Sequence, residues 1–172
     1  FVMPYVNMAA KKGLLLKLEI DENCPKLVQT DVGRLGQILS NLIDNAIKYT
    51  DVGHVNIHVH FDATQPMPLM FDVIDSGIGI DFNDDKARSK IFTEYARLNN
   101  ALDKKGVGLG LWIIKNLAQL MGGSVEIKTD HVQNENGGSC FRLLLPTSVN
   151  RKTTPLMDVP IKPRKVKNKN LK

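Results

Sequence analysis

Long apolar runs are missing from this 172-residue sequence. Even Val107-Gly-Leu-Gly-Leu-Trp-Ile-Ile114 falls far short of the roughly 20 residues a membrane-spanning helix needs, so no such span is expected. The opening Phe1-Val-Met-Pro-Tyr5 has neither the basic start nor the apolar core of a secretory leader, so none is expected in this segment. With no initiating methionine, the chain is expected to be cut from a longer polypeptide. Cysteine is scarce. Cys24 and Cys140 lie far apart without metal-type spacing, which excludes a disulfide scaffold and points to free thiols in a reducing compartment. Repeats and low-complexity tracts are absent before residue 150. What remains, 42% apolar and 24% charged, excludes a disordered chain and fits one domain that hides roughly two thirds of its unfolded surface.

The formal charge of +5 suggests a polyanion partner until its distribution is considered. Residues 151–172 hold eight basic residues and one acid, which leaves 15 Lys+Arg against 17 Asp+Glu in the rest of the chain. The basic character therefore belongs to a Pro- and Lys-rich tail with no apolar periodicity, expected to be a disordered linker to another domain. No nucleic-acid partner is expected.

Short strands are expected over 14–20 and 27–30. Asp31 is a plausible N-cap for a long helix ending near Thr50, because Leu35, Ile38, Leu39, Leu42, Ile43, Ala46 and Ile47 recur at three- and four-residue steps. Over 54–61 the period becomes two, with Val55, Ile57, Val59 and Phe61 on one face and His54, Asn56, His58 and His60 on the other. Residues 69–75 read as a strand that pairs with it through a longer loop. A short helix is expected around 86–92, an amphipathic helix over 109–121 stopped by Gly122-Gly123, and strands over 124–129 and 139–145. This alternation predicts an α+β fold, a two-layer sandwich with helices on one face of a mixed, mostly antiparallel sheet.

Three constellations carry chemistry. On the first long helix Arg34, Gln37, Asn41, Asn45 and Lys48 share one narrow face opposite the apolar stripe. Two interior Asn residues cost roughly 0.6 kcal/mol each relative to Ala, so a face that only met solvent would be better served by Glu, Lys or Gln. Asn carbonyls and a lysine instead suit a hard cation and phosphates. Next, Asp75-Ser76-Gly77-Ile78-Gly79-Ile80 places a carboxylate just past an apolar strand. It can accept a hydrogen bond from an amino group while the bare glycine backbone admits a flat ring. That combination favours adenine over guanine, though an ordinary Asp-Gly turn has the same residues. Finally, Gly106-Val-Gly108-Leu109-Gly110-Leu111 opens the second long helix, where free amides can face phosphates. It lacks the Lys-Ser/Thr of a P-loop and the spacing of a dinucleotide fingerprint.

In this order the three motifs resemble those of the ATP-binding (catalytic) domain of sensor histidine kinases, within the GHKL superfamily of gyrase, heat-shock chaperone, histidine kinase and mismatch-repair ATPases. Residues 31–50 resemble the N box, 75–80 the G1 box, Ile91-Phe92 the start of the F box, 106–111 the G2 box, and 137–141 the closing strand. The resemblance implies ATP and Mg²⁺ as ligands. Asn45 would ligate Mg²⁺ with Asn41 beside it, Lys48 would contact phosphates, and Tyr49 would stack near the adenine. Asp75 would hold the adenine amino group, with Gly77, Gly79 and Ile80 shaping its pocket. Arg97 falls where the family often supplies an arginine to the γ-phosphate. Gly106, Gly108, Leu109 and Gly110 belong to the hinge of a lid running from about residue 95 to 108. The F box departs from the family at Thr93-Glu94-Tyr95, where Glu-Pro-Phe is common; this bears on lid packing and partner coupling rather than on the nucleotide site.

Hydrolytic members of the superfamily carry a glutamate base where this chain has Asn41, and an amide cannot take a proton from water. Asp44 points about 60° away on the wheel and is a poor substitute. The resemblance thus implies phosphoryl transfer to a histidine on a separate dimerisation hairpin, with a response-regulator receiver as downstream partner. The full-length protein would be a homodimer, the isolated domain a monomer, and the setting cytoplasmic, whether or not a membrane anchor lies elsewhere. Alternatives of the same fold are a degenerate regulatory kinase domain and an anti-sigma-type serine kinase. Residues 1–12 would end the hairpin or a linker, 13–147 form the kinase domain and 148–172 the basic tail. None of the four histidines suits the acceptor role. His58 and His60, two apart on a strand, could bind a metal, but no third ligand is near in sequence, and a solvent-facing strand is the simpler account.

Overall fold

The computed structural model describes residues 2–80, 91–94, 109–128 and 137–146. Its elements in chain order are α1 (Met3–Lys11), β1 (Leu15–Ile20), α2 (Val32–Tyr49), β2 (His54–Phe61), β3 (Leu69–Asp75), α3 (Gly110–Leu120), β4 (Ser124–Ile127) and β5 (Ser139–Leu145). Among the described residues five strands form one sheet in the order β1-β2-β3-β5-β4. β1 and β2 run parallel because α2 carries the chain back between them, and every other pair is antiparallel. The fold is therefore the expected α+β arrangement with a mixed sheet. Among the described residues no helix is long and apolar enough to cross a membrane.

α2 forms as its periodicity dictates. The Asp31 side chain accepts a hydrogen bond from the Arg34 amide at 2.9 Å, satisfying an amide that the helix itself leaves open. Ile38, Leu39, Leu42, Ile43, Ala46 and Ile47 are buried, and they pack with Val55, Ile57, Val73 and Leu143 of the sheet and Ile114 and Ala118 of α3. At the other end of the fold α3 stops at glycine: Gly122 takes a φ of +72°, and the Gly123 amide donates back to Ala118 O at 2.8 Å.

The structure differs from the expectations at four places. Residues 27–30 form no strand; only Gln29 makes an isolated bridge, and Leu27 is exposed because the segment lies outside the five-stranded ladder. α1 is a helix that the periodicity did not suggest, since its only buried residue is Ala9 and most of its apolar side chains face outward. The 109–121 helix is one residue shorter at each end, with Leu109 and Met121 as its caps. The strand expected over 124–129 ends at Ile127 within the described part. The helix expected around 86–92 lies mostly outside the described residues; Ile91 to Glu94 form a turn, with Ile91 buried and Phe92 edge-on to Phe141. Arg97, Gly106, Gly108, the lid over 95–108 and the tail over 148–172 also lie outside them.

Candidate functional site

The C-terminal end of α2 and the turn after β3 are built against each other. The Ile78 amide donates to Tyr49 O at 3.2 Å, closing the turn onto the helix end. Gly77 makes this approach possible: a Cβ there would lie 2.3 Å from Tyr49 O and 2.9 Å from Asp75 Oδ1. Gly79 takes a φ of +69°, a left-handed conformation that favours glycine. Ile80 is buried with the core, whereas Ile78 is the exposed apolar side chain of the turn.

Asp75 sits at the end of β3 on the sheet face that carries the core. It is paired in register with Val55 on one side and Ser139 on the other. One carboxylate oxygen accepts from the Gly77 amide at 2.9 Å, and the other accepts a short hydrogen bond from the Ser139 hydroxyl. Burial pushes its carboxyl above the usual carboxylate range, against the opposing pull of Ser139 and Gly77. A carboxylate offers about four lone-pair sites, so the donors supplied by Gly77 and Ser139 leave capacity for an incoming amino group.

On α2, Asn41, Asn45, Lys48 and Tyr49 are half-buried, while Asp44 is exposed. The Lys48 ammonium donates to the Tyr49 hydroxyl at 3.0 Å and lies 4.6 Å from the centre of that ring, so the two side chains support each other. α3 begins beside this face: a Cβ on Gly110 would lie 3.6 Å from Asn45 Nδ2. The Leu109 side chain makes no capping hydrogen bond, and the first turn of α3 holds no acidic residue, leaving that end of the helix suited to an anion. Asn45 and Tyr49 of the first motif, Gly77 of the second and Gly110 of the third therefore come together along the C-terminal part of α2, whereas Arg34 lies at its other end, 3.0 Å from Asp31.

Two features of the site escaped sequence reasoning. Gly137 and Gly138, both at positive φ, press against the turn after β3: a Cβ on Gly138 would lie 2.5 Å from Asp75 O, and one on Gly137 2.9 Å from Gly77 O. The Gly-Gly pair ahead of an apolar strand was the available signal; that it abuts Asp75 depends on strand register. The other is Lys12, whose Nζ donates to the carbonyls of Ile47 at 2.8 Å, Lys48 at 3.1 Å and Thr50 at 2.5 Å, and lies 3.3 Å from Asp51. It holds α1 to the carboxyl end of the helix that carries the polar face.

Residues 30–149 match the family model of histidine kinase-, DNA gyrase B- and HSP90-like ATPases. Hybrid signal transduction histidine kinase B of Dictyostelium discoideum is 36% identical over 149 residues, 84% of this chain and 7% of that protein. The aerobic respiration control sensor protein ArcB of Escherichia coli is 38% identical over 140 residues, 80% of this chain and 17% of that protein. The crystal structure of full-length ShkA in complex with AMPPNP superposes with a TM-score of 0.67 at 27% identity, covering 86% of this chain and 29% of that one. This chain thus spans only a small part of these three relatives. Its motifs, sheet and family match agree, and the chain belongs to the histidine kinase-, DNA gyrase B- and HSP90-like ATPases.

Proposed function

We propose that this chain is the ATP-binding catalytic domain of a sensor histidine kinase, passing the γ-phosphoryl group of ATP to a histidine on a separate dimerisation hairpin. The observation that carries this reading is the meeting of Asp75, the Tyr49–Gly77 contact and the Asn45–Gly110 contact around one helix end. The kinship with histidine kinases supports it.

In this reading Asp75 accepts the adenine amino group, Tyr49 lies along the ring, and Lys48 with the amides opening α3 meets the phosphates. Asn45, whose side chain is half-buried at the start of α3, offers the hard oxygen that Mg²⁺ requires, with Asn41 beside it. Bound Mg²⁺ would neutralise charge on the phosphates during transfer. Asn41 in place of a glutamate leaves no base there to activate water, which favours transfer over hydrolysis. Arg97, Gly106 and Gly108 are carried by the resemblance alone.

The domain limits belong to the same proposal: 1–12 as the end of the hairpin or a linker, 13–147 as the kinase domain, and 148–172 as a basic tail. So do a cytoplasmic setting, a homodimeric full-length protein and a receiver domain as acceptor. The test is to incubate the chain with ATP, Mg²⁺ and the hairpin of the same protein added separately. Acid-labile phosphohistidine on the hairpin is expected; acid-stable phosphoserine or no transfer overturns the reading.

A further inference from the structure

The outer face of the sheet, away from the helices, carries a second constellation. The parallel register sets Glu19 opposite His58 and Ile20 opposite Val59, so Asp21, the next residue, falls opposite His60. The turn after β1 is pinned there: the Asp21 amide donates to Val59 O at 3.0 Å, Asn23 Nδ2 to Phe61 O at 2.8 Å, and the Cys24 amide to Asp21 O at 3.0 Å. Asp21 Oδ1 then lies 2.7 Å from His58 Nε2, and Asp21 Oδ2 lies 3.4 Å from His60 Nδ1. The third ligand absent from the local sequence is supplied by the residue that follows the neighbouring strand.

His60 decides what the cluster is for. Its Nε2 lies 3.0 Å from Asp72 Oδ2, and Asp72 is buried and held by two 2.6 Å hydrogen bonds from Arg142 Nε and Nη2. A neutral imidazole has one N–H and one lone pair. If Nε2–H serves Asp72, the Nδ1 lone pair faces the carboxylate of Asp21, an opposition that a cation between them removes. A histidine whose far nitrogen is fixed by a carboxylate, which is in turn fixed by an arginine, is also the usual support for a metal ligand. The three prospective ligand atoms all lie within 4.8 Å of one another, and the three residues are half-buried and within reach of solvent.

We propose that Asp21, His58 and His60 form a binding site for one first-row transition cation, Zn²⁺ above all, with water completing the coordination. Two imidazoles and one carboxylate suit Zn²⁺ and disfavour Mg²⁺, which keeps to oxygen ligands. The site is separate from the nucleotide site, being on the opposite face of the sheet, and it stands whether or not the kinase reading does.

The test is calorimetric titration of the nucleotide-free chain with Zn²⁺ in excess Mg²⁺, with Co²⁺ as a spectroscopic probe. One equivalent of Zn²⁺ should bind and raise the thermal midpoint, and Co²⁺ should show the visible bands of a low-coordinate site. Asp21→Asn and His58→Gln should each weaken binding at least about tenfold, while His54→Gln, on the same strand face but outside the cluster, should leave it unchanged. Circular dichroism of each variant establishes that it is folded. No binding by the parent chain, or equal binding by a folded Asp21→Asn/His58→Gln double variant, overturns the proposal, the former leaving a cluster held by protons alone.

Discussion

Replacing Asp75 by Asn separates the adenine contact from the architecture that holds it. In the parent chain the carboxylate accepts from the Gly77 amide at 2.9 Å and from the Ser139 hydroxyl. In Asp75→Asn the amide oxygen can keep the Gly77 contact, and the hydroxyl of Ser139 can turn to accept from the new NH₂ group. An incoming adenine amino group then meets a donor where it met an anionic acceptor. A hydrogen bond to a charged group contributes about 1.5–3 kcal/mol, so the dissociation constant for ATP should rise about 10- to 150-fold. Calorimetry with ATP, ADP and GTP, with and without Mg²⁺, reads this directly: the parent should bind both adenine nucleotides and bind GTP weakly or not at all. Stability should move differently. The raised pKa of buried Asp75 means that its contribution to folding is fully present below its unfolded value of about 3.9 and is lost as pH rises through the higher folded value. The stability of the parent minus that of the variant should therefore fall as pH rises through that window. An ATP affinity within about twofold of the parent, in a folded variant, would refute the adenine contact; a gap that widens with pH would refute the burial argument.

Lys12→Met keeps the aliphatic stem and removes three charge-assisted bonds to the end of α2, which should cost about 1–3 kcal/mol and lower the thermal midpoint by several degrees. Asp51→Asn removes the exposed ion pair with Lys12, which should cost about 0–1 kcal/mol; equal losses in the two would contradict this division. Gly77→Ala would place a methyl group 2.3 Å from Tyr49 O, so the turn must leave the helix end. ATP affinity should drop at least about fivefold, in line with overpacking costs of about 1–3 kcal/mol, and full affinity would show that the close approach is dispensable. Cys140 is buried and desolvation pushes its thiol up to about 12, so in the folded chain at pH 8 a disulfide reagent should modify half-buried Cys24 well before Cys140. Equal rates, read by mass spectrometry of the labelled peptides, would contradict the burial of Cys140.

The ranges of β2, β3 and β5 and the faces of α2 were legible in the sequence because they follow from periods of two and 3.6, which each segment carries within itself. Asp31 as a cap and Gly122-Gly123 as a stop were equally local. So were the residue types that point to an adenine nucleotide. Tertiary structure decided the rest. Asp75 and Ser139 are 64 residues apart and meet only through antiparallel register; Lys12 reaches the end of α2 across 35 to 38 residues; and Asp21 reaches His58 across 37 through a parallel register. A shift of one residue in either strand register would turn the side chain to the opposite face, and register is set by the packing of the whole sheet against its helices rather than by any window of sequence. For that reason the histidines of β2, read alone as a wet strand face, become a candidate metal site only when β1 is laid beside them.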